Sequence, residues 1–140
     1  MKNNDCVFCQ IVKGLMPATK IYEDDDVLAF LDISQVTPGH ALVIPKKHYD
    51  NFVSTPKDIL SKVMSVTQRI SQASLTMLGA KGINVLTNVN REAGQSVMHF
   101  HVHIIPRYIS DRGFQITMLK NERLSELNLP VLASEIKKGL

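Results

Sequence analysis

Polar and apolar residues alternate most clearly between positions 99 and 104. Histidines occupy positions 99, 101 and 103, and the residues between and after them are apolar, namely Phe100, Val102 and Ile104. Side chains of a strand point alternately to opposite faces, so this pattern predicts a strand with one histidine face and one apolar face. The apolar face is expected to cover a core, which leaves the histidine face for chemistry.

Other apolar runs predict the remaining elements. Strands are expected at 18–23, 27–32, 40–45 and 83–89, and short helices at 9–14 and 128–138. Thr55, Pro56 and Asp58 predict the start of a long helix, with Thr55 as the N-cap. A buried stripe is expected along that helix at Ile59, Val63, Val66, Ile70, Ala73 and Met77. Strands on either side of one long helix favour an α+β fold with an antiparallel sheet.

Length and charge limit the classes of function. A chain of 140 residues fits one domain, expected to span 1–140 with a core at about 6–110 and a tail at 111–140. The net charge of +3 suits an anionic small molecule and is too weak and unclustered to predict nucleic-acid binding. No apolar run reaches about 18 residues, so no membrane partner is expected. The N-terminus lacks an apolar signal core, and we expect a cytoplasmic location.

The histidine row itself suggests a division of labour. Neighbouring histidines on a strand lie roughly 6–7 Å apart and the outer pair roughly 13 Å apart, so the three cannot bind one metal ion together. A neutral imidazole can instead attack phosphorus and later leave, while its neighbours orient it and the leaving group. The alternative is a strand whose histidines are half-buried and hydrogen-bonded without a chemical role.

Residues 95–105, with the sequence QSVMHFHVHII, closely resemble the signature of the histidine-triad (HIT) family. Residues 32–34, residues 39–48 and Asn88 also fall where the Hint-like phosphoramidase branch has them. The resemblance covers about 6–110. It implies a five-stranded antiparallel sheet with a central helix, assembled as a homodimer. It also implies a nucleotide hydrolase or transferase. Such an enzyme would cleave purine nucleoside phosphoramidates or related nucleotides at the α-phosphate through a nucleotidyl-histidine, with AMP or GMP as product.

The resemblance also implies roles for individual residues. His101 would be the nucleophile, His103 would hold the phosphate or the leaving group, and His99 would fix the end of the strand. Contacts to phosphate, leaving group or ribose are expected from Asp32, Asn88, Gly94, Gln95, Ser96 and Val97. The apolar slot for the base is expected at Phe8, Ile11, Phe30 and Ile33. His40 matches an extra histidine near the triad. Each role has an alternative without chemistry. Residues 94–96 would form an ordinary turn, Asp32 would cap a loop, and the four apolar residues would simply pack in the core.

Two cysteines provide a second candidate site. Cys6 and Cys9 have the spacing of zinc ligands, and His48 with His99 would complete a tetrahedral set. Such a site would be structural, because all four ligands come from the protein. Some members of the family, mainly bacterial-type ones, carry this zinc, and others lack the cysteines. A redox pair and two small buried hydrophobes are the alternatives, although a thioredoxin-like pair needs a βαβ context that is missing.

Three other functions remain possible on these residues. The same histidines would serve a dinucleoside polyphosphate hydrolase, or a nucleotide-binding adaptor whose hydrolysis is vestigial. A zinc hydrolase with His101 and His103 as ligands is a further alternative, but no acidic residue lies beside the row to act as its base. The tail after Arg107 departs from the short tryptophan-containing end of the phosphoramidase branch, since this chain has no tryptophan. Substrate preference therefore stays open.

Overall fold

A computed structural model describes residues 5–140. Its five strands form one antiparallel sheet in the order β1-β2-β3-β5-β4. The strands are β1 Lys20–Glu23, β2 Val27–Leu31, β3 Ala41–Pro45, β4 Gly82–Leu86 and β5 Val102–Arg107. The helices are α1 Val7–Val12, α2 Lys57–Met77 and α3 Leu129–Lys137, with single 3₁₀ turns at Arg91–Ala93 and Leu124–Glu126. This architecture confirms the predicted α+β fold with one long central helix.

Both faces of the sheet are covered, and alternation along β2 and β3 divides their side chains between two cores. Val27 and Ala29 belong to the core under α2, whereas Leu28 and Phe30 belong to the core under α1. The predicted apolar face of the histidine row is confirmed, because its three members are buried in the α2 core, namely Phe100, Val102 and Ile104. The histidines are thereby directed away from α2.

Regular strand geometry starts later than the alternation predicts. β5 begins at Val102, so His99 and His101 precede it. The backbone N–H of Phe100 donates to the carbonyl of Tyr49 at 2.6 Å, a loop partner rather than a neighbouring strand. The predicted strands at 18–23, 40–45 and 83–89 are likewise shorter than expected. Alternation of side chains is thus retained in extended backbone that has no ladder of hydrogen bonds.

Two predicted helix starts are wrong. α1 begins at Val7 rather than at residue 9, because the Cys6 sulfur accepts a hydrogen bond from the backbone N–H of Cys9 at 3.3 Å and caps the helix. Thr55 does not cap α2. Its hydroxyl donates to the carbonyl of Asn51 at 2.8 Å, and Pro56 occupies the cap position without a side-chain bond.

The buried stripe of α2 is also shorter than predicted. Ala73 is exposed, and Met77 is 81% exposed. Thr67 and Ser74 are buried instead, because their hydroxyls donate to the carbonyls one helical turn earlier at 2.8 and 2.9 Å. A hydroxyl that is satisfied by its own helix can be buried at little cost, and apolar periodicity cannot reveal this.

Arg107 fixes the segment 108–114, which follows the last strand of the sheet. The Arg107 guanidinium donates to the Asp111 carboxylate, to the Asn84 side chain at 2.7 Å and to the carbonyl of Phe114 at 2.9 Å. Beyond it every residue of 115–140 is exposed. The predicted terminal helix is present as α3, capped by Asn128. Within the described part of the chain, no helix is both long enough and apolar enough to cross a membrane.

Candidate active site

A cleft of about 280 Å³ opens on the α1 side of the sheet. Most of its lining is apolar and comes from α1, from the loop that follows it and from β2. The polar groups that line it are Asp32, Ser96, His101 and His103. A mostly apolar cleft with a few convergent polar groups is the usual form of a small-molecule site.

His101 presents a free ring nitrogen in this cleft. Its Nδ1 lies 2.7 Å from the backbone carbonyl of His99, and a carbonyl can only accept, so Nδ1 carries the hydrogen. Burial lowers the pKa of His101, which favours the neutral ring. In the neutral ring Nε2 then keeps an unshared electron pair. His101 therefore has the form that a nucleophilic imidazole requires.

His103 has the opposite form, because His40 sets its tautomer. The backbone N–H of Val36 donates to His40 Nδ1 at 3.4 Å, so a neutral His40 carries its proton on Nε2. That nitrogen lies 2.9 Å from His103 Nδ1, which must accept. Burial, followed by the charges of His101 and His40, lowers the pKa of His103 to about 4. Neutral His103 thus offers an N–H at Nε2, and its ring centroid lies 5.1 Å from that of His101.

Asp32 adds a carboxylate to the cleft. Its Oδ1 accepts from the backbone N–H of Ser34 at 2.7 Å, which fixes the turn after β2. Its Oδ2 lies 3.8 Å from His40 Nε2. Oδ1 therefore holds the loop, and Oδ2 lies next to His40, the partner of His103.

Gln95 braces the loop that brings Ser96 and Val97 to the cleft. Its side-chain carbonyl accepts from the backbone N–H of Asn90 at 2.9 Å, and its amide donates to the carbonyls of Asp50 at 2.6 Å and Val97 at 3.0 Å. The side chain is 3% exposed. Because both ends of the amide have protein partners, Gln95 holds the loop in place.

A second cluster of side chains lies next to the histidine row. The ligating atoms of its four residues lie within 4.8 Å of one another, and the residues are Cys6, Cys9, His48 and His99. The Cys6 and Cys9 sulfurs lie 3.3 and 3.5 Å from His99 Nδ1, and the Cys9 sulfur lies 3.3 Å from His48 Nδ1. Tetrahedral zinc with ordinary bond lengths places sulfur and nitrogen ligands roughly 3.5 Å apart. The cluster could therefore bind a metal ion of this kind.

The outer nitrogens of both cluster histidines are held by the protein. His99 Nε2 lies 2.8 Å from the carbonyl of Pro45, and His48 Nε2 lies 3.0 Å from the Asp50 carboxylate. These partners direct both Nδ1 atoms at the thiols, as the partners of metal-binding histidines commonly do. Burial and the neighbouring Cys6 raise the pKa of Cys9 to about 11, and burial lowers the pKa of His99 to about 4. The ring of His99 thus belongs to this cluster while its carbonyl holds His101.

Comparison with known proteins identifies the family. The sequence model of the HIT domain matches residues 13–109. The chain belongs to the HIT family. It is 46% identical to Protein hit of Bacillus subtilis over 110 residues, which are 79% of this chain and 76% of that protein. It also superposes on a crystal structure of a HIT family protein from Bacillus anthracis with a TM-score of 0.89, at 41% identity and with 98% of each chain covered.

Two further relatives concern the metal cluster and the reaction. A histidine triad family protein from Mycobacterium smegmatis, solved as a zinc-bound structure, is 36% identical, with a TM-score of 0.76 and 99% of each chain covered. Adenylylsulfatase HINT3 of Arabidopsis thaliana is 43% identical over 104 residues, which are 74% of this chain and 53% of that protein. The family therefore includes a zinc-bound member and a member that acts on a nucleotide.

Most of the residues that the HIT resemblance singles out lie together. The cleft is lined by Phe8, Ile11, Phe30, Asp32, Ile33, Ser96, Val97, His101 and His103. Gly94, Gln95 and Asn88 do not line it; Asn88 Nδ2 lies 3.4 Å from the carbonyl of Gly94, which has a left-handed φ of 92°. Sequence reasoning missed the loop at 16–18, which also lines the cleft. The one signal for this loop is Gly14, a glycine just after α1, which has a left-handed φ of 74° in the structure.

Proposed function

We propose that this HIT protein cleaves purine nucleoside phosphoramidates or related nucleotides at the α-phosphorus through a nucleotidyl-His101 intermediate. The observation that carries the proposal is the opposite tautomers of His101 and His103, side by side in one cleft. One ring offers an electron pair that can attack phosphorus, and the other offers an N–H that can donate a hydrogen bond to the leaving group. The purine nucleotide itself is inferred from the family resemblance.

In the first step Nε2 of His101 forms a bond to the α-phosphorus, and the bond from phosphorus to the leaving nitrogen breaks. His103 Nε2–H donates a hydrogen bond to the leaving nitrogen, because His40 keeps His103 in the donor form. The leaving amine takes its proton from a water molecule, which becomes hydroxide. The rigid bond from His101 Nδ1 to the carbonyl of His99 stabilises the positive charge on the ring.

In the second step water attacks the phosphorus and the bond to His101 breaks. The electron pair returns to Nε2 of His101, and the proton that water loses neutralises the hydroxide left by the first step. The nucleoside monophosphate then leaves, and both rings are restored.

Substrate contacts follow from the lining of the cleft. Phe8 and Phe30 pack edge to face, with ring centroids 5.7 Å apart, and form part of the apolar slot for the base. We assign Oδ2 of Asp32, which does not hold the Ser34 N–H, to the ribose hydroxyls. Ser96 and the backbone around Val97 supply donors for the phosphate, on the loop that Gln95 holds. A ribose or phosphate contact of Asn88 stays a prediction.

The cysteine cluster supports a structural zinc site on Cys6, Cys9, His48 and His99. Soft thiolates with two imidazoles are a usual zinc set, and the separations of the ligating atoms fit it. A zinc ion there would cross-link α1 to the two histidine segments. It would hold His99, whose carbonyl orients His101, without itself touching substrate.

A homodimer through α2 and β4 is the assembly that we propose. β4 is an edge strand of the sheet. Met64 and Leu75 of α2 are 41% and 42% exposed, and Val85 of β4 is 49% exposed. These side chains line one groove between the helix and the strand. An apolar face along an unpaired edge strand suits association with a second copy.

The test compares three substrates. We expect wild-type protein to hydrolyse adenosine 5′-phosphoramidate, and we would measure its rates on a diadenosine polyphosphate and on adenylyl sulfate beside it. His101→Gly should lose turnover on all three and regain part of it with added imidazole, which replaces the missing ring. An alanine or glycine variant as active as wild type would overturn the assignment. Tight AMP binding without turnover by wild type would favour the adaptor alternative.

A further inference from the structure

The loop 32–40 joins β2 to β3, and the residues at its two ends both act on His103. Asp32 Oδ2 at the first position lies 3.8 Å from Nε2 of His40 at the last position. The same Nε2 lies 2.9 Å from His103 Nδ1, and the two rings are stacked with centroids 5.2 Å apart. The geometry of this loop therefore determines how the two rings share one proton.

Two contacts keep that proton on His40. The backbone N–H of Val36 reaches His40 Nδ1 at 3.4 Å, which is near the upper limit for a hydrogen bond, and the Asp32 carboxylate attracts the hydrogen on Nε2. A shift of a few tenths of an ångström in the loop would remove the first contact. A neutral imidazole carries one N–H, so His40 would then carry it on Nδ1. His103 would carry its own on Nδ1 and present a bare Nε2 to the cleft.

Gln35 ties the two ends of this loop together. Its amide nitrogen donates to the carbonyls of Asp32 at 2.6 Å and His40 at 2.7 Å, and its side-chain carbonyl accepts from the backbone N–H of Gly39 at 2.8 Å. These partners also fix which end of the amide is nitrogen, because carbonyls can only accept and an N–H can only donate. One backbone bond, from the N–H of Asp32 to the carbonyl of His40 at 3.0 Å, joins the same ends.

The middle of the loop has anchors of its own. The hydroxyl of Thr37, a residue that is 3% exposed, donates to the carbonyl of Pro106 at 2.7 Å. The hydroxyl of Tyr108 donates to the carbonyl of Pro38 at 2.6 Å. These bonds hold the middle of the loop on the last residues of β5 and the residue that follows, but they do not reach its two ends. The ends depend on Gln35.

We propose that Gln35 is a positioning residue for the departure of the leaving group, because it holds the loop in the geometry that gives His103 its N–H at Nε2. The inference rests on the proposed function, in which that N–H meets the leaving nitrogen. The Gln35 side chain is exposed and does not line the cleft, so it acts through His40 and not on the substrate. Its loss should change the arrangement of protons on the two rings more than the affinity for nucleotide.

The first experiment observes the ring nitrogens of the full chain with ¹⁵N-labelled histidine at about pH 8, where histidines are neutral. Wild type should show the hydrogen of His103 on Nε2 only. Gln35→Met keeps the length of the side chain without the amide, and it should show both tautomers of His103. Gln35→Glu keeps an oxygen for Gly39 but lacks the two donors, and it should show the same mixture. Wild-type spectra in either variant would overturn the proposal.

Thr37→Val is the matched control from the same loop. Valine fills the same space, but the buried carbonyl of Pro106 loses its donor, so this variant should lower Tm at least as much as Gln35→Met. The bonds of Gln35 and of Tyr108 remain, and His103 should therefore keep the wild-type tautomer. Equal mixtures of tautomers in Thr37→Val and Gln35→Met would show that any loosening of the loop has this effect, and would overturn the specific role of Gln35.

The second experiment is a double-mutant cycle on turnover of adenosine 5′-phosphoramidate. Gln35→Met should lower kcat roughly 2–10-fold, as expected for the loss of one hydrogen bond, and should change KM less than about twofold. In a His40→Leu background the same replacement should change kcat less than about twofold, because the ring through which it acts is absent. Effects that multiply would overturn the proposal. Wild type without turnover would overturn the proposed reaction, and the ring spectra would still decide the role of Gln35.

Discussion

Replacement of Cys9 by serine tests the metal cluster and its link to the histidine row. Cys9 is 5% exposed, and its sulfur lies 3.3 and 3.5 Å from the two cluster histidines. A hydroxyl is a poor zinc ligand, so Cys9→Ser should lose the ion. Zinc at about 1,000 times its dissociation constant stabilises the native state by about 4 kcal/mol. At about 3–5 °C per kcal/mol for a chain of this length, loss of the ion should lower Tm by roughly 10–20 °C.

The same variant should have a smaller effect on turnover. Loss of the ion leaves the ring of His99 held only at Nε2, by the carbonyl of Pro45. The carbonyl of His99 should then hold His101 Nδ1 less firmly than at 2.7 Å. A hydrogen bond of this type contributes about 0.5–1.5 kcal/mol, which corresponds to a fall of roughly 2–10-fold in kcat. The KM should change little, because the cluster does not line the cleft. A zinc hydrolase would instead lose all turnover when the metal is removed.

The assay combines metal analysis, thermal unfolding and steady-state kinetics. Wild-type protein should contain one zinc per chain, and a chelator should lower its Tm to that of Cys9→Ser, whose own Tm should not respond to the chelator. Wild type that contains no zinc after growth in zinc-supplemented medium, and that melts at the same temperature with and without chelator, would refute the reasoning. Complete loss of turnover in the folded, metal-free protein would refute the structural role.

Three further predictions concern the residues around the cleft. His40→Leu removes the donor to His103 and should lower kcat about tenfold. His40→Gln should retain most of the wild-type kcat, because its amide nitrogen replaces Nε2 as the donor. The ¹⁵N spectra of the His103 ring should show mixed tautomers in the leucine variant only. Because the pKa of His103 falls from 6.5 to about 4 on folding, the unfolded chain binds the extra proton between these values. The free energy of unfolding, measured by urea titration, should therefore fall as pH decreases from 6.5 to 4. The fall should be roughly 1–3 kcal/mol larger in wild type than in His103→Asn. An equal pH dependence in the two proteins would contradict this. Gly113→Ala should lower Tm by several degrees, because a Cβ would overlap the backbone carbonyl of Val36, whereas Gly139→Ala, with no contact closer than 3.5 Å, should melt like wild type.

Local patterns predict the faces of the sheet well. The alternation from 99 to 104 assigns each side chain to a face, because the period of two is a property of extended backbone and holds even where β5 has not begun. The unbroken apolar run of β2 likewise predicts burial on both sides, and Leu28 and Val27 lie in different cores. The pattern therefore predicts which residues can meet on one side of the sheet.

Contacts between distant segments are beyond such patterns. The bond from His40 to His103 depends on the register that pairs Leu42 with His103, and no local spacing encodes that register. The loop at 16–18 reaches the cleft only because α1 packs on the sheet. The family resemblance supplied the cluster of Cys6, Cys9, His48 and His99 as a set, where spacing alone gives the two cysteines.

The central claim is the covalent bond between His101 and the nucleotide, and a quenched reaction analysed by mass spectrometry tests it most directly. Enzyme mixed with excess adenosine 5′-phosphoramidate is denatured at alkaline pH within milliseconds, digested and fragmented under conditions that keep the phosphorus–nitrogen bond. We predict an adenylyl adduct on His101 in wild type and none on any residue of His101→Gly. Rapid turnover with no adduct, or an adduct on His103 or His40, would contradict the account.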